Sequence, residues 1–66
     1  MGQMYDLKLR IDQVIGQQRL DDVKTRGAIG MRSGVMLSLI NASTPDDPAK
    51  IQKIRDVAAE ILRVPF

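Results

Sequence analysis

Residues 20–41 have the sequence LDDVKTRGAIGMRSGVMLSLIN, and this stretch decides the expected fold. Its first half is polar, with Leu20, Val23 and Gly27 on one helical face. Each glycine inside a helix costs about 1 kcal/mol relative to alanine. Gly27 and Gly30 therefore indicate either a break between two helices or a close approach of helices. We predict a short helix over 20–29, ended by a tight turn.

The second half of the stretch predicts another helix. Ser33 can cap it, because a serine hydroxyl accepts from the free N–H groups of a first turn. Residues 35–40 are apolar nearly all round, which is typical of a helix that is buried or touches a partner. Residues 41–45 form a loop. Two short helices across a glycine-containing turn define a helix-turn-helix arrangement.

The N-terminal segment carries two competing periodicities. Apolar residues alternate with polar ones over 4–11, as in a strand. Over 4–18 the apolar residues instead recur every three or four positions, as in a helix. No second alternating run offers a strand partner, and a lone strand has no neighbouring strand with which to form backbone hydrogen bonds. We therefore predict a helix at about 5–18, with a strand at 4–11 as the alternative.

The C-terminal segment has the clearest helical signal. Asp47 and Pro48 form a helix start, with aspartate at the cap and proline at the first helical position. Apolar residues then follow a 3.6-residue period through position 62, and Pro65 ends the pattern. The whole chain is predicted to be one all-α domain over residues 1–66, a compact bundle of four to five helices.

Composition excludes several classes of function. The 66 residues contain no cysteine and no histidine, so neither a zinc site nor a histidine-activated nucleophile is expected. Asp46 and Asp47 before Pro48 are expected to cap a helix rather than to catalyse. We therefore expect no enzyme activity, no metal, no cofactor and no small-molecule substrate. No apolar run approaches the length of a membrane span, and a cytoplasmic protein without membrane contact is expected.

Several strings resemble the lambda-repressor-like (Cro/C1-type) helix-turn-helix domains. AEILRVPF at 59–66 is similar to the close of that family's last common helix. LSLIN at 37–41 resembles the end of its recognition helix, and residues 42–45 resemble the loop that follows. Gly27 takes a position usually held by a small residue, whereas Met31 stands where the family prefers the turn glycine. The resemblance covers about residues 20–65 and implies a repressor-like fold.

The function expected from these patterns is DNA binding by a small regulator of phage or bacterial type. A recognition helix at about 33–41 would enter the major groove of double-stranded DNA. With ten Lys and Arg against eight Asp and Glu, the net charge of +2 weakly favours an anionic partner. The candidate DNA contacts lie at the corner of the motif and in the loop after it: Gln18, Lys24, Arg26, Arg32, Ser33, Asn41, Ser43 and Thr44.

Two alternatives to a regulator stay open. The near-neutral charge and the apolar segment 35–40 also fit a helical protein-interaction or homo-oligomerisation module without nucleic acid. A non-specific DNA-binding arm of a larger transposition or recombination protein is the third hypothesis. A homodimer is a further hypothesis, since domains this small usually gain DNA specificity by dimerising; the candidate contacts are Met36, Leu37, Val64 and Phe66, each of which could instead belong to the core.

Overall fold

The computed structural model describes residues 2–66, which form three α-helices and one 3₁₀ turn. The helices are α1 (Gln3–Gln17), α2 (Asp22–Ser33) and α3 (Pro48–Leu62), and the 3₁₀ turn is Leu37–Leu39. No strand occurs within 2–66. The all-α prediction is confirmed. The expected four to five helices are wrong, because only three α-helices form in the described part of the chain.

Helix α1 follows the helical periodicity and not the alternating one. Its buried side chains are Met4, Leu7, Ile11 and Ile15, spaced three or four residues apart on one face. The helix ends where Arg19 adopts a left-handed conformation with φ 57°. Arg19 N–H then donates to the Gly16 carbonyl and Leu20 N–H to that of Ile15, which is the hydrogen-bond pattern of a Schellman motif.

Helix α2 begins at Asp22 and runs through both glycines to Ser33, so the predicted break after residue 29 is wrong. Asp21 caps its start by accepting from Lys24 N–H at 3.0 Å. Gly30 marks a close approach: a Cβ there would lie 3.1 Å from the Val35 carbonyl oxygen. At Gly27 a Cβ would meet nothing within 4 Å, and no contact requires glycine there.

The predicted helix over 33–41 is wrong. Ser33 is the last residue of α2, and Gly34 follows it in the left-handed region with φ 76°. This turn redirects the chain into the short 3₁₀ segment instead of a new α-helix. Leu37 and Ile40 point into the core three residues apart, while Met36 and Leu39 stay outside. The apolar run is thus half-buried, not buried all round.

Helix α3 is confirmed with its predicted start. Asp47 accepts from Ala49 N–H at 3.1 Å and from Lys50 N–H at 3.2 Å, and Pro48 is the first helical residue. The helix ends at Leu62, and the next residue, Arg63, adopts the left-handed conformation with φ 61°. Its buried face contributes Ile51, Ile54, Val57, Ala58 and Leu62 to the core.

Helices α1 and α3 point in the same direction, because hydrogen bonds join them at both ends. At the start, the Asp46 carboxylate accepts from the backbone N–H groups of Gln3 at 3.1 Å and Met4 at 3.0 Å. At the end, Gln18 Nε2 donates to the Leu62 carbonyl at 2.8 Å. The backbone hydrogen bonds from Met4 and then Gln3 lower the pKa of Asp46 below its usual range. Asp46 is thus a long-range cap for α1.

Candidate binding surfaces

Both arginines that were predicted to contact DNA, Arg26 and Arg32, are held in ion pairs. Arg26 Nη2 donates to Asp22 Oδ2 at 2.7 Å, and its Nη1 lies 3.5 Å from Asp12 Oδ1. Arg32 Nη2 lies 2.8 Å from Glu60 Oε2. Arg26 therefore ties α2 to α1, and Arg32 ties α2 to α3. Lys24 is exposed on α2.

The polar residues among the predicted DNA contacts mostly complete local structure. The Ser33 hydroxyl lies 3.5 Å from the Gly30 carbonyl that it donates to, and it accepts from Val35 N–H at 3.3 Å. It therefore helps to end α2 instead of starting a recognition helix. Gln18 Nε2 is engaged with the Leu62 carbonyl.

The predicted loop contacts form a closed turn. Asn41 Oδ1 accepts from Ser43 N–H at 2.7 Å, and Thr44 Oγ1 accepts from Asn41 N–H at 2.9 Å. The Asn41 bond has the spacing of an Asx turn, and the Thr44 bond is a local side-chain-to-backbone contact that runs three residues back. The turn leads directly to Asp46, at the N-terminal end of α1.

The predicted DNA contacts are spread over the end of α1, α2 and the turn at 41–44. Gln18 lies at the C-terminal end of α1, whereas the Asn41–Thr44 turn precedes the Asp46 cap at the other end. A helix of this length separates its ends by about 20 Å. Lys24, Arg26 and Arg32 lie between them on α2.

A different surface emerges around the C-terminal end of α2. Met31 is 88% exposed, Met36 64% and Leu39 67%. A groove of about 500 Å³ lies between α2 and residues 36–38, with Met31 and Met36 among its lining residues. Met36 and Leu39 line a neighbouring groove of about 510 Å³, bounded by Pro45 and Pro48. Met36 lines both grooves and so links Met31 to Leu39, and we call these three exposed residues the apolar surface.

Only part of this surface was predicted from the sequence. Met36 was an expected partner contact and is exposed, but Leu37 is buried and Val64 and Phe66 pack partly against the core. Met31 and Leu39 were missed. The available signal was Arg32-Ser33-Gly34, since a basic residue followed by glycine favours the end of a helix.

Across residues 2–66 no group of three or more His, Cys, Asp or Glu side chains is placed to hold a metal ion. Within the same range no helix has the length and apolar character needed to cross a membrane. No protein-family model, no curated protein and no solved structure matches this chain.

Proposed function

We propose that this chain is a helical protein-interaction module that binds its partner through the apolar surface formed by Met31, Met36 and Leu39. The observation that carries the proposal is the exposure of three large apolar side chains along two neighbouring grooves that share Met36. Single exposed apolar residues are ordinary on protein surfaces, whereas contiguous ones mark interaction sites.

The shape of the groove favours a helical partner. Gly27 lines it on the α2 side with nothing within 4 Å of where a Cβ would lie, so a partner can approach the α2 backbone closely there. Met31 and Met36 stand on its sides, and unbranched methionine side chains adapt to the contours of an apolar ligand. An amphipathic helix that lays its apolar face into such a groove is a recurrent mode of recognition.

DNA binding is the second candidate function. It is supported by the net charge of +2 and by Lys24 and Arg32, which are both exposed on α2. The ion pair between Arg32 and Glu60 is itself exposed, so a phosphate can compete for the guanidinium. In this mode α2, and not a helix at 33–41, would meet the nucleic acid.

Methionine methyl NMR separates the two functions within one sample. Met31 and Met36 report on the apolar surface, while Met4, which is 2% exposed, reports on the core. A synthetic amphipathic helical peptide should shift the Met31 and Met36 methyl signals and leave Met4 unchanged. A random-sequence DNA duplex should leave all of these signals unchanged.

Matched substitutions identify the binding surface. Met31→Glu and Met36→Glu should each abolish the response of the other methionine to the peptide. Leu9→Glu is the control, because Leu9 is exposed on α1 and lines neither groove. Equal loss of binding in the Leu9 variant contradicts the assignment of the surface. DNA binding that falls steeply between about 50 and 200 mM salt, without any peptide response, favours the second function.

A further inference from the structure

A small cavity with two arginines lies away from the apolar surface. It occupies about 230 Å³ between α1, α3 and the last residue of the chain. Its lining residues are Gln3, Asp6, Leu7, Arg10, Arg55 and Phe66. None of them belongs to the surface formed by Met31, Met36 and Leu39.

The two arginines differ from Arg26 and Arg32 in having no carboxylate partner. Neither Arg10 nor Arg55 forms an ion pair within residues 2–66. The Arg10 guanidinium lies 5.6 Å from the centre of the Phe66 ring, a cation–π distance. Arg55 Nε is shielded from solvent and has no hydrogen-bond partner in the described chain. A buried donor without a partner is rare in native proteins and calls for a ligand, an ion or a water.

We propose that this cavity binds an oxyanion, a phosphate or carboxylate group, through the guanidinium groups of Arg10 and Arg55. A guanidinium presents planar, paired N–H donors that match the oxygens of carboxylate and phosphate. Two such groups in one cavity repel each other, and an anion between them removes that repulsion.

Asp6 sets the charge balance of this site. Its carboxylate lines the same cavity but lies beyond ion-pair distance of both arginines in the structure. Among the side chains that line the cavity, two are positively charged and one is negatively charged. Repulsion from Asp6 opposes the anion, so Asp6→Asn should strengthen binding by about two- to fivefold, the range for one exposed charge pair.

The test is a titration with inorganic phosphate at constant ionic strength, followed through the arginine Nε–H signals in NMR. The signals of Arg10 and Arg55 should shift and saturate, while that of Arg19, at the other end of α1, should not. Parallel titrations with a nucleoside monophosphate and with acetate distinguish a phosphate site from a carboxylate site. Linear shifts of similar size at every arginine, without saturation, overturn the proposal.

Variants on α3 provide the matched control. Arg55→Gln and Lys53→Gln each remove one positive charge from the same helix, so they change the overall charge equally. Arg55→Gln should weaken phosphate binding by at least about tenfold, the loss expected for a charge-assisted hydrogen bond, and Lys53→Gln should not. Arg10→Gln repeats the test at an exposed position, where a folding defect is not expected. Equal binding by wild type, Arg10→Gln and Arg55→Gln refutes the site.

Discussion

Gly27→Ala in α2 should stabilise the protein, whereas Gly30→Ala in the same helix should not. Gly27→Ala places a methyl group where nothing lies within 4 Å, so only the gain in helix propensity remains. That gain is about 1 kcal/mol, which raises Tm by about 4–8 °C in a domain of this size. Gly30→Ala has the same propensity gain, but its Cβ would lie 3.1 Å from the Val35 carbonyl oxygen.

The contact at Gly30 cannot relax by a simple side-chain rotation, because the neighbouring atom belongs to the backbone. The Val35 segment is held by the left-handed turn at Gly34 and by the buried Leu37. Overpacking of this kind usually costs about 1–3 kcal/mol. Gly30→Ala should therefore range from neutral to about 2 kcal/mol less stable than wild type.

Thermal and urea unfolding followed by far-UV circular dichroism measure this difference. The two variants have the same composition and the same formal change in the same helix, so each is the other's control. Equal stabilisation by both would show that Val35 does not pack on Gly30 as the structure places it. A loss of stability in Gly27→Ala would show that the outer face of α2 is covered in the free protein.

Three further predictions concern the core, the cap of α1 and the surface ion pair. Ile54→Ala should cost about 2–5 kcal/mol by urea unfolding, because Ile54 is 1% exposed, and Ile61→Ala should cost less because Ile61 is only half-buried. Asp46→Asn should be less stable at neutral pH. The pKa of Asp46 is lowered in the folded state, so the stability that its carboxylate contributes is present above the ordinary pKa near 3.8 and is lost as pH falls through the lower folded pKa. The unfolding curves of wild type and Asp46→Asn should therefore come together as both proteins are titrated with acid. Arg32→Ala should leave Tm within a few degrees of wild type, since the pair with Glu60 is exposed, and a large drop would show that the pair is structural.

The helices at the two ends of the chain were predictable because local signals agree with burial. In α3, the Asp47 cap, Pro48 and the 3.6-residue apolar period all indicate the same start and the same buried face. In α1, the helical period over 4–18 was longer than the competing strand period, and the structure follows the longer pattern. The spacing of apolar residues determines which of them share a face of the helix, and the apolar face is the one that becomes buried in the core.

The middle of the chain was mispredicted because propensity was taken as the stronger signal. The helix was expected over 20–29, with the two glycines explained by a break or by a close approach, yet α2 continues to Ser33. Packing explains the difference: Ile29 is fully buried, and Gly30 allows the Val35 backbone to pass close to α2. Propensity is a weak prior that tertiary contacts override. The long-range cap from Asp46 to α1 left no local signal at all, because its partners are more than forty residues apart.

A single conformational feature accounts both for the missing helix and for the candidate binding surface. Gly34 in the left-handed region ends α2 and keeps Ser33 inside the helix, so no new helix can start there. The following residues then form a short 3₁₀ turn, in which Leu37 and Ile40 reach the core and Met36 and Leu39 do not. In an α-helix over 35–40, the apolar side chains would instead point in nearly all directions around the helix axis. The surface proposed for partner binding therefore depends on this one turn, and a β-branched residue at Gly34 should remove the turn and the surface together.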